Sequence, residues 1–226
     1  MSSYIVPAIV LLMSLLGLYL MLRDVQEHPV RQGVPVTDEI KMRREKIALV
    51  YGIVMTILTV AISVWFGKQF ADHHILNNLK CLMLLAVLWP VAYIDFCSYR
   101  IPNEFVLLGL VSRVALIPAE LLIDTDYAKF SLISGAIAAV AMLLAAVLCA
   151  TLAKGSIGFG DMKLFVVIGL FLEMEGSWGA MFLALILSLV ISVTLMVFKK
   201  IKRNDSIPFG PAIMLGTYLS VCITGM

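Results

Sequence analysis

The stretch FSLISGAIAAVAMLLAAVLCATLA, from Phe130 to Ala153, contains no charged residue. A helix needs about 20 mostly apolar residues to cross a hydrocarbon core roughly 30 Å thick, so this stretch is typical of a transmembrane helix. Similar runs recur along nearly the whole chain, which is 62% hydrophobic and has a mean hydropathy of +1.02. Soluble domains are usually only about 45–50% apolar. The sequence therefore predicts an all-α, polytopic membrane protein.

The apolar segments along the whole chain predict about eight transmembrane helices within one membrane domain, residues 1–226. The predicted crossings are Tyr4 to Leu22, Ile47 to Phe66, Lys80 to Asp95, Asn103 to Ile123, Phe130 to Ala153, Asp161 to Glu175, Ser177 to Phe198, and Phe209 to Met226. The sixth is short for a full crossing, which usually takes about 17 to 25 residues. The longest polar segment, Arg23 to Lys46, is predicted to be a loop because Pro29, Gly33 and Pro35 interrupt any continuous helix.

The distribution of basic residues predicts how the chain sits in the membrane. Most of the 17 lysine and arginine residues fall in alternate loops, including the Arg23 to Lys46 segment and the segment after Phe198. Excess lysine and arginine in short loops marks the cytoplasmic side. We therefore expect a multi-pass protein of the inner (plasma) membrane with both termini outside and the Arg23 to Lys46 loop in the cytoplasm.

Charge and cysteine content argue against two other classes of protein. A formal net charge of +2 provides no basic face for nucleic acid. The four cysteines lie singly in or beside apolar runs, and no CxxC pair occurs. The pattern indicates neither a zinc site nor a disulfide framework, so no metal is expected.

Two aspartates are predicted to meet at one membrane face. Asp95 ends the third crossing and Asp161 begins the sixth, and the two crossings between them carry the chain over and back. Carboxylates at membrane depth are costly and usually functional. Two nearby carboxylates do not ionise together easily, so one keeps a proton while the other accepts one from water. This is the chemistry of an aspartic protease, and it needs no cofactor.

The glycines before Asp161 have two interpretations. Gly155, Gly158 and Gly160 lack a Cβ, which lets another backbone, such as an extended substrate, approach closely. Alternatively, Gly158-Phe159-Gly160-Asp161 is a loop leading into a capped helix start, since aspartate is favoured there. This motif alone does not decide between the two.

Two further motifs favour the functional interpretation of these glycines. Asp95 leads through Phe96-Cys97-Ser98-Tyr99-Arg100 into Ile101-Pro102-Asn103, and Pro208-Phe209-Gly210-Pro211 precedes the last helix. In this order, together with Gly158-Phe159-Gly160-Asp161-Met162-Lys163-Leu164, the motifs resemble those of the type IV prepilin peptidase family over about residues 80–226. The resemblance implies that Asp95 and Asp161 are catalytic. The residues expected to position them or to bind substrate are Gly158, Gly160, Pro102, Asn103, Pro208 and Gly210.

The resemblance also implies the substrate: the leader peptide of a prepilin, pseudopilin or archaellin-like protein, cleaved at the cytoplasmic boundary of the lipid bilayer. Many bacterial members of the family carry a cysteine-rich cytoplasmic segment that accompanies N-methylation of the product. The Arg23 to Lys46 segment has no cysteine. We therefore expect a form with peptidase activity only.

Two other functions remain open at this stage. A presenilin-like or signal-peptide-peptidase-like protease shares the glycine-aspartate motif, although it resembles neither the Ile-Pro-Asn turn nor the Pro-Phe-Gly-Pro segment. A proton-coupled transporter is the alternative from another class, and it would need a polar path across the bilayer.

Four other polar residues carry structural expectations. Arg113 lies within the fourth span and needs an acidic partner; Glu120 is two turns away, so the spacing predicts a partner on another helix. Lys163 is expected to meet lipid headgroups. His73 and His74 are expected in a solvated outside loop.

Overall fold

The computed structural model describes residues 2–28, 38–70, 74–152, 158–199 and 207–224. Every regular element in these ranges is an α-helix, which confirms the predicted all-α class. The helices are α1 (Ser2–Glu27), α2 (Asp38–Gln69), α3 (Ile75–Ser98), α4 (Asn103–Ile123), α5 (Thr125–Leu152), α6 (Phe159–Val197) and α7 (Gly210–Thr224).

The predicted Arg23 to Lys46 loop is helical at both ends. Helix α1 continues to Glu27 and α2 already begins at Asp38. Glutamate, lysine and arginine are good helix formers, and Asp38 and Glu39 at the start of α2 complement the positive end of its dipole. The helices therefore continue beyond their apolar segments. Residues 29–37, which include Pro29, Gly33 and Pro35, lie outside the described ranges, as do His73 and Gly155.

Helix α4 has the predicted bounds, whereas α5 begins five residues earlier than predicted. Asp124 explains the earlier start, because its Oδ1 accepts hydrogen bonds from the N–H groups of Asp126 (3.1 Å) and Tyr127 (3.0 Å). A carboxylate in this position satisfies N–H groups that have no partner within the helix.

Helix α3 lies at the centre of the bundle. It contacts α1, α2, α4, α6 and α7, and nearly every residue from Asn78 to Asp95 is buried. Its apolar side chains therefore pack on other helices, whereas the other long helices turn large apolar side chains outward. Asp95 lies near one end of α3 and Lys80 near the other, and we refer to these as the Asp95 end and the Lys80 end.

Helix α6 reverses direction at Glu173, whose backbone is not helical (φ 58°, ψ −162°). Helix α7 runs antiparallel to α3, because Gly210 contacts Asp95 and the Tyr218 hydroxyl donates to the Leu85 carbonyl (3.1 Å). Further along α7, the Ser220 hydroxyl donates to the Gly176 carbonyl (3.4 Å). Residue 176 therefore lies towards the Lys80 end of the bundle.

The two arms of α6 consequently run in opposite directions. The first arm (residues 159–172) leads from the Asp95 end to the Lys80 end. The second arm (residues 174–197) returns, since Gly216, between Tyr218 and Gly210 in α7, packs against the backbone of Ala184. The arms correspond to the sixth and seventh predicted crossings. The boundary between these crossings, predicted after Glu175, lies at Glu173.

Six of the helices are long and apolar enough to cross a membrane, and α7 is a shorter apolar helix. With α6 divided into two arms, this agrees with the prediction of about eight crossings. The chain is a multi-pass membrane protein.

The prediction that the partner of Arg113 lies on another helix was wrong. Arg113 Nη1 donates to both carboxylate oxygens of Glu120, at 2.9 and 3.0 Å, within the same helix. Seven residues rise only about 10.5 Å along a helix. Two long side chains on one face can span that distance, so no acid from another helix is needed.

Candidate active site

Asp95 lies in the last turn of α3, and 6% of the residue is exposed. Its Oδ2 accepts a hydrogen bond of 2.6 Å from the N–H of Gly210, the first residue of α7. Helix α3 ends three residues beyond Asp95. Tyr99 then adopts a left-handed conformation (φ 55°) and donates its N–H to the Asp95 carbonyl. The side chain of Asp95 is thus held between the end of one helix and the start of another.

Asp161 lies in the first turn of α6 and is partly buried. Its Oδ2 accepts a hydrogen bond of 3.0 Å from the N–H of Gly158, which precedes the helix. Asp161 therefore binds the start of its own helix, as the capping interpretation of the motif expected. The helix cap is Gly158, however, and Asp161 is the third helical residue.

The structure brings Asp95 and Asp161 to the same end of the bundle, as the count of crossings predicted. The first turn of α6, which carries Asp161, packs through Gly160 against Ile101, in the turn that follows Asp95. In each carboxylate, Oδ2 is held by a backbone N–H. This arrangement orients both carboxyl groups.

Gly160 brings the start of α6 against the turn that follows Asp95. A Cβ built on Gly160 would lie 2.9 Å from the Cβ of Ile101, closer than side chains pack. Pro102 follows Ile101 in extended conformation (φ −65°, ψ 137°) immediately before α4. The close approach predicted for this glycine is therefore taken up by the protein's own Ile-Pro turn.

Asn103 joins the starts of α4 and α6. Its Oδ1 accepts a hydrogen bond of 2.9 Å from Nζ of Lys163. The expectation that Lys163 meets lipid headgroups missed this contact, because a distance of 60 residues along the chain conceals it. Lys163 is exposed, so the bond lies at the rim of the site.

The Pro-Phe-Gly-Pro segment supplies the start of α7. Gly210 is buried, and a Cβ there would lie 2.8 Å from the Cβ and 2.9 Å from Oδ2 of Asp95. The Phe209 ring packs at 6.0 Å from the ring of Phe165 in the first arm of α6. Pro208 lies outside the helix, directly before Phe209, and is connected to the site through the backbone of Phe209 and Gly210.

Two ion pairs that the sequence did not indicate connect α1 with this region. Arg100, in the turn after Asp95, binds Asp24, and Glu104 at the start of α4 binds Arg23. The sequence features that could have predicted these ion pairs were a basic residue in the turn after Asp95 and acidic residues beyond the apolar part of α1. Neither signal specifies which residues pair.

Comparison with known proteins adds independent information. The profile of the type IV leader peptidase family matches residues 82–194, a segment that includes both aspartates. A curated relative from Bacillus subtilis (strain 168), named prepilin leader peptidase/N-methyltransferase, is 27% identical over 145 residues. That alignment covers 64% of this chain and 56% of the relative, so the chain spans little more than half the length of the relative.

No solved structure matches the chain. The matched segment is half of the sequence and contains the first two motifs of this chain in their order. On this evidence the chain belongs to the type IV leader peptidase family.

Proposed function

We propose that this chain is a membrane aspartic endopeptidase that removes the leader peptide from a prepilin, a pseudopilin or an archaellin-like protein. The observation that supports the proposal is the location of Asp95 and Asp161, two carboxyl groups from different helices, at the same end of a membrane bundle. The family profile and the name of the Bacillus subtilis relative support the substrate class.

The proposed reaction uses water and the two aspartates. One carboxylate accepts a proton from the attacking water, and the other, protonated, donates a hydrogen bond to the scissile carbonyl. The proton then passes to the leaving amine as the peptide bond breaks. No metal or cofactor takes part, so chelators should leave the rate unchanged.

The substrate is proposed to enter from the lipid. Phe96 and Phe159, the neighbours of the two aspartates in their motifs, are 66% and 83% exposed. An apolar helix immediately after the cleavage site, which the family resemblance implies for the substrate, would pack against such rings. The leader itself would remain in water beyond the bundle.

The placement of the site on the cytoplasmic side of the inner membrane is part of the proposal. It rests on the distribution of lysine and arginine residues, which puts the loops at the Asp95 end in the cytoplasm.

The transporter alternative loses support from the interior of the bundle. Between Lys80 and Asp95, α3 presents only apolar, aromatic and cysteine side chains, and they are buried. A proton path along this helix would need polar groups or water. The family match likewise favours the prepilin peptidase over the presenilin-like alternative.

Asp95→Asn and Asp161→Asn test the proposal. Each amide keeps the shape of the carboxyl group but does not exchange protons as the pair requires, so each variant should lose cleavage while keeping membrane insertion and expression. The measurement is mass spectrometry of the N-terminus of a co-expressed prepilin, with the native chain as the positive control. Substantial cleavage by either purified variant would remove that residue from the proposed mechanism.

A further inference from the structure

A second group of charged residues lies at the Lys80 end of the bundle, remote from the aspartates. Lys80 is completely buried; its Nζ binds the Glu173 carboxylate, donates to the Ser131 hydroxyl (2.8 Å), and lies 5.0 Å from the centre of the Tyr127 ring. Arg113 donates to the same hydroxyl (2.9 Å) and pairs with Glu120. We call Lys80, Arg113, Glu120, Ser131 and Glu173 the Lys80 clamp.

The clamp binds α6 where this helix is interrupted. In a continuous helix the Leu170 carbonyl would accept from the N–H of Met174. Here Arg113 Nε donates to the Leu170 carbonyl (3.0 Å), and the Met174 N–H donates to the Ser134 hydroxyl (3.2 Å). Backbone groups within a membrane need such partners because lipid provides none. The clamp thus stabilises the reversal at Glu173.

The clamp is also a link between α3 and the first arm of α6. Lys80 is on the same helix as Asp95, and Glu173 directly follows the first arm of α6, which carries Asp161 in its first turn. At about 1.5 Å per residue, Lys80 and Asp95 are about 22 Å apart along α3, and Asp161 and Glu173 about 18 Å apart along α6. The Lys80–Glu173 pair therefore joins these two helices at the end opposite the aspartates.

Apolar packing between α3 and α6 is limited, so it does less to hold these two helices in register than the packing of α6 on its other neighbours. The contact of α3 with α6 is much smaller than the contacts of α6 with α5 and α7. Sliding the first arm by one helical turn would displace Asp161 by about 5.4 Å relative to Asp95. A charged pair with defined geometry opposes such sliding more strongly than interchangeable apolar contacts do.

We propose that Lys80 and Glu173 are positioning residues, which set the axial register of Asp161 against Asp95 from the opposite end of the bundle. The proposal rests on the proposed function for its activity measurement, because the aspartates are the groups being aligned. A misplacement of reacting groups by about 1 Å can lower a rate by about a hundredfold. The pair therefore influences turnover without touching the substrate.

Two variants of the pair separate alignment from stability. Lys80→Met combined with Glu173→Gln removes both charges of the pair together, so neither is left without its partner. Glu173→Asp keeps both charges but shortens the link by one methylene group. For both we expect folded protein, a KM within about twofold of the native value, and a kcat lower by about tenfold to a hundredfold. Lys129→Met, which removes an exposed lysine paired with Asp126, is the matched control and should leave kcat unchanged.

A distance measurement tests the register without substrate. Spin labels on Phe96→Cys and Phe159→Cys, in a background with the four native cysteines replaced, report the separation of the two helices beside the aspartates. We expect a shifted or broadened distance in both pair variants and a native distance in Lys129→Met. Native distance and native kcat in the folded pair variants would overturn the proposal, and loss of folding in both would assign the pair to folding alone and overturn it equally. If the native chain cleaves no prepilin, the proposed function fails while the spin-label distances still decide the register.

Discussion

At the scale of single residues, the backbone of Gly210 approaches Asp95 more closely than any side chain would permit. Its N–H holds one carboxylate oxygen at 2.6 Å, and its Cα faces the Cβ of the same aspartate. The sequence predicted a positioning role for Gly210 from its motif. It did not identify the contact, because a glycine before a helix is equally typical of an ordinary helix start.

Gly210→Ala should displace the carboxyl group of Asp95. The added methyl group would lie 2.8 Å from Asp95 Cβ and 2.9 Å from Oδ2, so one of the two residues must move. We expect a loss of kcat of about tenfold or more, and a loss of stability of about 1–3 kcal/mol, as overpacking usually costs. Kinetics of leader cleavage and thermal unfolding in detergent provide the measurements.

The control for this substitution is Gly67→Ala. Gly67 also lies in a helix, but a Cβ there would meet no atom within 4 Å. Native activity is expected, with stability equal to or slightly above that of the native chain, since alanine favours the helix by about 1 kcal/mol over glycine. Equal activity of Gly210→Ala and Gly67→Ala would contradict the described contact.

At the scale of helices, small residues let the second arm of α6 and α7 pack closely. A Cβ on Gly216 would lie 2.5 Å from the backbone N and 2.8 Å from the Cα of Ala184. These are backbone atoms, so no side-chain rotation relieves the overlap. Close approach of backbones at glycine and alanine is how many membrane helices associate without a hydrophobic driving force.

Gly216→Ala should therefore separate these two helices. The expected cost is about 1–3 kcal/mol of stability, seen as a lower unfolding temperature in detergent. Gly216→Ala should also lower the activity, because α7 carries Gly210, but by less than Gly210→Ala does. Unfolding at the native temperature would show that the helices are not packed as closely as described, and Gly67→Ala again serves as the control.

At the scale of the whole molecule, the membrane orientation is a testable prediction. The excess of basic residues at the Asp95 end predicts that this end faces the cytoplasm. Ser98→Cys and Ser156→Cys, each in a background without native cysteines, should react with a membrane-impermeant thiol reagent only after the membrane is opened. Labelling of both from outside would reverse the orientation, and labelling from opposite sides would contradict the shared site.

The second prediction at this scale concerns the reaction product. The Arg23 to Lys46 segment has His28 as its only histidine and no cysteine, so it lacks the ligands of a zinc site. We expect purified protein, incubated with a prepilin and S-adenosylmethionine, to release a product with an unmethylated N-terminus. A gain of one methyl mass that depends on this chain would contradict the prediction of peptidase activity alone.

The helical class, the approximate number of crossings and the location of Asp95 and Asp161 at one end could all be predicted from the sequence. These features follow from apolar run lengths and from an even number of crossings between the two residues, so they need no knowledge of how helices pack. The motifs likewise predicted Gly210 and Asn103 as positioning residues. Chain topology alone was sufficient for this coarse arrangement.

The specific contacts between helices could be identified only from the tertiary structure. Gly210 on Asp95, Lys163 on Asn103, and Lys80 on Glu173 are contacts between helices far apart in the chain. Hydropathy carries no information on the rotation or axial register of one helix against another. Those are set by the packing of side chains and by the satisfaction of buried polar groups, and both depend on the whole bundle at once.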